Sequence, residues 1–548
     1  MQMNSPPQTI ASSLRKRRVG ILDLLNDGAP LGWDRVYASH FRRQFTSITP
    51  QAVSVWCREL GHDVFYATYF GQQDPKELVP DDLDIVFIGA FTKASALAYA
   101  LAKLYRTEGA LTVVGGPHAR SFPQDCLRFF DVVIKDCDKQ LVKEILDGHI
   151  DPGATVSSGR PLNSLNTLPG WPSVEQRMPE LLASSLHGKR AVWKAVPILS
   201  SVGCPYSCDF CVDWNQPYAR VPREHLENDL RYLADNHPGT LVAYHDPNFG
   251  VQFDQTMDAI ETVPAERRNP YVMESSLSIL KGARLERLAR TGCAYIAAGV
   301  ESWEEYSNKS AASGTTGRKK LDRVTEHFRL LHRHIKGFQG NFVFGNDADR
   351  GREPLELTKE FVRRLPFVWP GVNIPTPFGG TPLFDKLMRD GRILEAMPFS
   401  FYYNPYLTFV LANYHPSEYY EMLSELFSEM TSARAWVKRL TSDAPPLVKF
   451  IHSVQAFGVF QELVEFRVIR KLLATDSQFR GFHEGRDKTL PEFYHRRFEE
   501  RLGRYAELVT RADRTPGHAE IRADDEVTLG TSVPHTVSSA MPRERTPS

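Results

Sequence analysis

The run GCPYSCDFC, residues 203 to 211, directly follows an apolar stretch with the pattern of a strand, residues 196 to 201. The run places Cys204, Cys208 and Cys211 on one short loop with the spacing C-x3-C-x2-C. Three soft thiolates on one loop are typical ligands of an iron–sulfur cluster or of another thiophilic metal. A cubane cluster normally takes four cysteines, so three protein ligands would leave one iron open to a substrate.

Two other interpretations of this cysteine loop have less support. A structural zinc ion takes four ligands, usually as two paired units, and the chain has no second C-x2-C. The nearest downstream histidine, His225, lies within a helical pattern. Inert cysteines rarely have this spacing directly after a strand, and an odd total of seven cysteines argues against a disulfide framework.

Downstream of the loop, strand and helix patterns alternate as far as about residue 410. This order predicts a partial (β/α)6 barrel over residues 196–410, a fold that carries its chemistry at the C-terminal ends of its strands. The candidate strands are residues 196–201, 241–245, 270–275, 294–299, 340–345 and 371–375.

Upstream of the loop, residues 1–150 also alternate between strand and helix patterns. We therefore predict an α/β architecture in which this segment forms a doubly wound, Rossmann-like domain. Ligands of such domains bind at the carboxyl ends of the strands. Those ends carry Thr92, Gly115, Gly116 and His118, which we take as candidate binding residues.

Three other segments complete the predicted organisation. Residues 151–195 contain many prolines and predict a linker. Residues 411–512 predict a helical C-terminal domain, and residues 513–548 have the composition of a disordered tail. Within the helical domain, the amphipathic stretch 435–473 is where the sequence would allow attachment to a membrane surface.

The composition excludes several classes of protein. The 548 residues are 42% hydrophobic and 24% charged, which is typical of a globular chain. The 66 basic and 66 acidic residues cancel, so the net charge gives no reason to expect nucleic acid as a partner. No run approaches the roughly 18 apolar residues of a membrane span, and the N-terminus lacks the apolar core of a signal peptide. We expect a cytoplasmic protein without a membrane partner.

The cysteine loop and the strand order together resemble the radical S-adenosylmethionine (radical SAM) superfamily. Four further short motifs match elements of that superfamily in the same order, and the five motifs span residues 203 to 384. Each motif is weak alone, but the ordered set is specific. The four are YHDPNF at 244–249, AGVES at 298–302, FVFGNDAD at 342–349 and PTPFGGTPLF at 375–384.

The resemblance implies a 4Fe–4S cluster on the three loop cysteines, with S-adenosylmethionine (SAM) bound to the open iron through its amino and carboxylate groups. It also implies that Phe210 lies beside the adenine of SAM and that Glu301 faces its ribose. Gly299 and Asp246 lie in the matching elements and are further candidates for the cofactor site. Without the resemblance, Glu301 would be a residue near a helix N-terminus and Asp246 a turn residue.

The run VVGGPHA at residues 113–119 resembles an element of the cobalamin-binding class within this superfamily. The resemblance implies that cobalamin binds at the strand ends of the first domain. Two departures stand against it: Leu25 occupies the position where some relatives have a lower axial histidine, and KDCDK at 135–139 replaces a frequent G-E-G-E. The alternative is a Rossmann-like domain that only packs on the barrel.

The implied activity is reductive cleavage of SAM to a 5′-deoxyadenosyl radical, followed by cobalamin-dependent methylation of an unactivated carbon in a small molecule. An electron donor such as flavodoxin or ferredoxin would be the protein partner. Relatives with this architecture also perform ring cyclisation, ring contraction and thioether formation, so a cyclase or rearrangement enzyme is the alternative. A non-catalytic metal-binding scaffold is a third hypothesis.

Overall fold

The computed structural model of the chain describes residues 15–28, 46–71, 74–158, 170–186, 194–206, 208–214, 216, 218–306, 310, 312 and 314–517. Most of the predicted tail lies outside these ranges. No helix within the described ranges is long and apolar enough to cross a bilayer.

The N-terminal part of the chain forms a six-stranded sheet with the order β2-β1-β3-β4-β5-β6, and its strands pair in parallel. The strand order changes direction between β1 and β3, and ligands of such sheets bind at that switch point. The strands are β1 (Arg18–Leu24), β2 (Asp63–Tyr69), β3 (Ile85–Ala90), β4 (Leu111–Gly115), β5 (Val132–Asp136) and β6 (Ala154–Ser157).

A parallel sheet needs apolar cover on both faces, which explains the continuous apolar run of β3. Val86 and Ile88 face one hydrophobic core with α2 (Ser95–Thr107), while Ile85 and Phe87 face a second core with α1 (Ile48–Glu59). The predicted doubly wound domain is therefore confirmed. Its remaining helices are α3 (Pro117–Ser121), α4 (Pro123–Leu127) and α5 (Lys139–Asp147).

The boundary that we predicted at residue 150 is wrong. Strand β6 lies inside the predicted linker and pairs with β5. Helix α6 (Met178–Ala183) also belongs to this domain, because the buried carboxylate of Glu180 accepts a hydrogen bond of 2.6 Å from Ser54 of α1 and pairs with Arg58. A strand of four residues is too short for periodicity to reveal it.

The second sheet has the order β14-β13-β12-β11-β10-β7, and its strands also pair in parallel. The six predicted barrel strands therefore all occur and neighbour one another in chain order. They are β7 (Ala195–Ile198), β10 (Leu241–Tyr244), β11 (Tyr271–Ser276), β12 (Cys293–Glu301), β13 (Phe338–Val343) and β14 (Val368–Asn373).

A short antiparallel pair, β8 (Ser201–Val202) and β9 (Ala219–Arg220), closes the base of the segment that contains the three cysteines. This pair fixes both ends of the segment directly after β7. The barrel helices are α7 (Arg223–Asn236), α8 (Phe253–Glu261), α9 (Ala283–Thr291), α10 (Gly317–His332), α11 (Glu353–Arg364) and α12 (Pro382–Arg389).

The C-terminal part is helical, as predicted. The long helix α15 packs along α13 and buries Leu463, Phe466 and Ile469. The helices are α13 (Pro416–Met430), α14 (Ala433–Thr441), α15 (Pro446–Thr475), α16 (Ser477–His483) and α17 (Glu492–Leu502).

The expected start of the disordered tail at residue 513 is also wrong. Asp513 pairs with Lys103 of α2 at 2.5 Å, and the amide of Gly517 donates a hydrogen bond of 2.9 Å to Asp125. The chain therefore returns to the first domain after the helical region. Composition could not reveal this, because the fixed position depends on charges far away in sequence.

Candidate active site

The cysteine loop lies at the carboxyl end of β7, where a barrel of this type carries its chemistry. Gly203 opens the loop with a φ of 68°, a left-handed conformation that favours glycine. Cys204, Cys208 and Cys211 are each half-buried, so their thiols are sheltered but reachable from the barrel edge. The carbonyl of Asp209 accepts a hydrogen bond of 3.0 Å from the amide of Leu383, which ties the loop to α12.

Asp246 supports the start of this loop. Its buried carboxylate accepts hydrogen bonds from the amide of Ser200 at 3.0 Å and from the hydroxyls of Ser200 and Ser201 at 2.5 and 2.7 Å. Burial raises the pKa of Asp246, and these hydrogen bonds oppose the rise. We predicted Asp246 as a residue of the cofactor site. Its carboxylate binds the segment that leads into the cysteine loop.

Phe210 stacks on Tyr306, with ring centroids 5.1 Å apart and planes 13° from parallel. The hydroxyl of Tyr306 is buried and has no hydrogen-bond partner among the described residues. Burial raises the pKa of this hydroxyl well above its usual range, and the carboxylates of Asp209 and Glu301 raise it further. An unpartnered polar atom between the cysteine loop and Glu301 fits a polar ligand such as SAM.

Glu301 ends β12 in a strained conformation. Its φ is 67°. Among the residues that the structure describes, Glu301 is the one non-glycine residue with a positive φ. The pairing of β12 with β13 shifts its register between Gly299 and Glu301, so a bulge redirects the strand at this point. Such strain in a non-glycine residue persists only where the surroundings enforce it, and it is often found at functional sites.

Asp349 joins the loops after β12 and β13, and the sequence analysis did not single it out. Its buried carboxylate accepts hydrogen bonds from the Ser302 hydroxyl at 2.7 Å and from the Gly345 amide at 2.8 Å. Burial raises the pKa of Asp349 to about 6, and these hydrogen bonds oppose the rise. The carboxylate therefore fixes the backbone next to Glu301, and only its place in the FVFGNDAD motif could have indicated it.

The donor set of the loop fits an iron–sulfur cluster chemically, since three half-buried thiols come from one segment. In the described part of the chain, no three His, Cys, Asp or Glu side chains are drawn together in the geometry of a finished metal site. The two ends of the loop are fixed by the β8–β9 pair and by Asp246, so a cluster bound there would require only the part of the loop between them to tighten.

The two predicted glycines at the strand ends of the first domain, Gly115 and Gly116, differ in the space around them. Gly116 has a φ of 98°, and a Cβ there would lie 2.9 Å from the carbonyl oxygen of Ala90, so the protein itself requires this glycine. At Gly115 a Cβ would meet nothing closer than Ile134 at 4.0 Å. The hydroxyl of Thr92 on the neighbouring turn is buried and unpartnered among the described residues. The open space and the orphan hydroxyl fit a bulky polar ligand at this edge.

The sequence predicted His118 as a binding residue at this sheet edge, but its side chain does not line the edge. The imidazole is fully buried, and its Nε2 lies 2.6 Å from the hydroxyl of Tyr99, which in turn donates to Asp125 at 2.6 Å. Burial lowers the pKa of His118 to about 3, so the ring is neutral. Because the aromatic rings of Phe122 and Phe399 pack around it, His118 belongs to the core beneath the edge.

The first domain meets the barrel next to the cysteine loop. Arg120 of α3 pairs with Asp213, two residues after the last loop cysteine, at 3.2 Å. On the other side, a Cβ on Gly379 would lie 2.0 Å from the carbonyl oxygen of Ser121, so the loop after β14 touches the backbone of the first domain. The candidate ligand edge of the first sheet and the cysteine loop therefore lie at one domain junction.

Helix α15 places a partly buried glutamate beside Asn404 at the carboxyl end of β14, and the sequence analysis missed this contact. Asn404 donates a hydrogen bond of 3.0 Å to the Val372 carbonyl, and its amide nitrogen lies 3.5 Å from the carboxylate of Glu462. Burial raises the pKa of Glu462 to about 7. The sequence could have indicated Glu462, because it is a glutamate within an apolar helical pattern.

Comparison with known proteins agrees with this arrangement, although no model of a known protein family matches the chain. The bacteriochlorophyllide d C-12(1)-methyltransferase of Chlorobaculum tepidum is 22% identical over 336 residues, which cover 59% of this chain and 70% of that protein. The C-8(2)-methyltransferase of the same organism is 24% identical over 330 residues, covering 57% of this chain and 70% of that protein.

A solved structure of OxsB, described as a cobalamin-dependent S-adenosylmethionine radical enzyme with aqua-cobalamin bound, has the same fold. It superposes with a TM-score of 0.55 at 12% identity and covers 95% of this chain and 82% of that one. The ordered motifs, the two-sheet architecture and these relatives agree. The chain therefore shares its fold, an N-terminal Rossmann-like sheet followed by a partial barrel, with this radical SAM enzyme, and it is similar in sequence to the two methyltransferases.

Proposed function

We propose that the protein is a radical SAM methyltransferase that adds a methyl group to an unactivated carbon of a small molecule. The observation that carries the proposal is the placement of the three half-buried cysteines. They follow the first strand of a six-stranded parallel barrel, on a loop held at both ends. The methyltransferases of bacteriochlorophyllide d support the type of reaction.

The three cysteines would hold a 4Fe–4S cluster whose remaining iron takes SAM. When bound, these groups and cobalamin supply one-electron reduction, hydrogen removal from carbon and a transferable methyl group. The electron would come from a protein such as flavodoxin or ferredoxin.

The protein's own contribution to SAM binding comes from three elements. Phe210 and Tyr306 offer a stacked aromatic surface beside the cysteine loop. Glu301 offers a carboxylate at the end of β12, where the bulge holds it in place. Asp349 and Asp246 fix the loops around these groups and touch other protein atoms. They are positioning residues.

Cobalamin would lie at the carboxyl edge of the first sheet, against Thr92 and the open space at Gly115. Leu25 has no atom that could bind a metal ion, so this position would supply no ligand to the cofactor. The junction formed by Arg120 and Asp213 brings this edge to the cysteine loop. Both cofactors would therefore face one shared space.

SAM with a labelled methyl group tests the proposal. The reduced, reconstituted protein is incubated with this SAM, and 5′-deoxyadenosine and labelled product are measured by mass spectrometry. We expect 5′-deoxyadenosine from the parent chain and none from Cys208→Ala. The matched control is Cys293→Ala, which removes a buried cysteine at the amino end of β12, away from the loop.

Label in the product supports methyl transfer. Formation of 5′-deoxyadenosine with an unlabelled, rearranged product would replace methyl transfer by cyclisation or rearrangement. Equal amounts of 5′-deoxyadenosine from the parent and from Cys208→Ala would reject the cysteine loop as the cluster site.

A further inference from the structure

Helix α15 presents an apolar face to solvent. Leu447, Phe450, Phe457, Phe460 and Val464 recur at steps of three, four or seven residues and therefore lie on one side of the helix. The three phenylalanines are 42%, 44% and 49% exposed. A single exposed apolar residue is ordinary, but a row of five on one helix face indicates a surface that meets another apolar phase.

The same face becomes basic towards the C-terminal end of the helix. Arg467 and Lys471 follow Val464 at three and seven residues and continue the row, and the neighbouring Arg470 is exposed beside it. Within the described ranges, the side chains of these three residues form no ion pair and no hydrogen bond, whereas Arg497 pairs with Glu465 of α15. Exposed cations with no ion pair to a described residue, at the end of an apolar row, favour an anionic partner.

The face carries no carboxylate among the described residues of α15. Its two glutamates point elsewhere: Glu462 lies beside Asn404, and Glu465 accepts from Tyr406 and pairs with Arg497. A second copy of the chain would bring the same surface to the contact, as symmetric dimers do, and would offer no anion to the three cations. The charge pattern therefore favours a different partner.

We propose that this face of α15 docks on an anionic lipid surface, with the phenylalanines in the headgroup boundary and the cations on the lipid phosphates. A helix with an apolar side, a basic end and a body too polar to span has the character of an interfacial helix. The inference goes beyond the proposed function and does not depend on the presence of any cofactor. It develops the attachment to a membrane surface that the sequence would allow at residues 435–473.

The full chain is tested by co-sedimentation with two kinds of vesicle, phosphatidylcholine alone and phosphatidylcholine mixed with phosphatidylglycerol. We expect binding to the anionic vesicles only, weakened by added salt. Phe457→Ser with Phe460→Ser should abolish it, and neutralising Arg467, Arg470 and Lys471 to Gln should weaken it by about tenfold or more. The control Leu182→Ser changes an apolar side chain of similar exposure on α6.

Circular dichroism establishes that each variant keeps its helices. Absence of binding to anionic vesicles would overturn the inference, as would equal binding by the parent and the phenylalanine variant. A dimer in light scattering that dissociates in Phe457→Ser with Phe460→Ser would also overturn it and would assign the face to a contact between two copies.

Discussion

At the scale of single residues, Glu301 is the position where the backbone departs most from ordinary geometry. A left-handed conformation costs a non-glycine residue roughly 1 to 2 kcal/mol, so the surroundings of Glu301 must offset that strain. The carboxylates of Asp246 and Asp349, by contrast, accept hydrogen bonds from groups within the protein. Of the three carboxylates at the barrel edge, Asp246 and Asp349 fix loops, and Glu301 is the one that we propose to face a ligand.

This division predicts opposite effects on stability and SAM binding at Glu301. Glu301→Gly should leave the free energy of unfolding unchanged or raise it by up to about 1 kcal/mol, because the strain is relieved. SAM binding to the reconstituted protein should weaken in both Glu301→Gly and Glu301→Gln. Denaturant titration and equilibrium dialysis measure the two quantities. A loss of stability above about 2 kcal/mol in Glu301→Gly would show that the carboxylate holds the fold.

Glu462 predicts a dependence of stability on pH. Burial raises its pKa in the folded protein to about 7, from an ordinary value of 4.5. The stability that its neutral form contributes is present below pH 4.5 and is lost as the pH rises through 7. Glu462→Gln stays neutral, so it should unfold at a higher temperature than the parent at about pH 8 and at a similar temperature near pH 5.

Calorimetric scans at both pH values check this expectation. The exposed Glu507→Gln serves as the control and should show no such difference between the two pH values. An equal gain of Glu462→Gln at both values would contradict a raised pKa as the cause.

The sequence identified several residues of the site but not their roles. The spacing of the cysteines placed them on one loop, and the AGVES motif located Glu301. Whether a carboxylate faces a ligand or a neighbouring amide depends on contacts between segments far apart in sequence, as between Asp246 and Ser200. His118 was misjudged for the same reason, because Tyr99 and Asp125 bury it from another helix pair.

At the scale of elements, the loops after the barrel strands hold one another. Asp246 joins the loop after β10 to the one after β7, Asn248 joins it to Ser276 at the end of β11, and Asp349 joins the loops after β12 and β13. The sequence could predict the strands because their apolar runs are local, but these ties connect side chains of different loops. The first turn of α12 completes the set by binding the cysteine loop.

Thr381 is the N-cap of α12 and tests this arrangement. Its hydroxyl accepts a hydrogen bond of 3.2 Å from the Phe384 amide and donates one of 2.6 Å to the Phe378 carbonyl. Thr381→Val keeps the shape but removes both bonds, and we expect a loss of about 1 to 2 kcal/mol in the free energy of unfolding. Iron loading should fall with it, because the Leu383 amide on this turn holds Asp209.

Denaturant titration and iron analysis check the prediction, with Thr381→Ser as the variant that retains the hydroxyl. Equal stability and iron content in Thr381→Val and the parent would show that this turn does not support the cysteine loop.

At the scale of the whole molecule, the helical C-terminal part joins the first domain to the barrel. Tyr403 donates a hydrogen bond of 2.8 Å to Asp27, which follows β1, and a Cβ on Gly28 would lie 2.0 Å from the carbonyl oxygen of Arg501 on α17. The return of the chain to Lys103 adds a third contact. Sequence patterns predicted the first domain, the barrel and the helical part. They did not predict that all three meet at one junction.

Gly379 lies where the barrel touches the backbone of the first domain. Gly379→Ala should push the two apart, since the added Cβ would lie 2.0 Å from the Ser121 oxygen and backbone cannot move as a side chain can. We expect a lower midpoint of thermal unfolding and a transition that separates into two steps. Calorimetry measures both.

Gly481→Ala is the matched control, because its Cβ would meet Asp487 at an ordinary 3.6 Å. A single transition at the parent temperature in Gly379→Ala would contradict a tight contact between the barrel and the first domain.

In the proposed arrangement, one domain junction holds an iron–sulfur cluster on the cysteine loop and cobalamin on the first sheet. Elemental analysis of the full chain, purified without oxygen from a host supplied with cobalamin, tests it most directly. We predict about four irons per chain, the content of one 4Fe–4S cluster, together with near-stoichiometric cobalt. Zinc without iron, persisting after reconstitution, would contradict this arrangement.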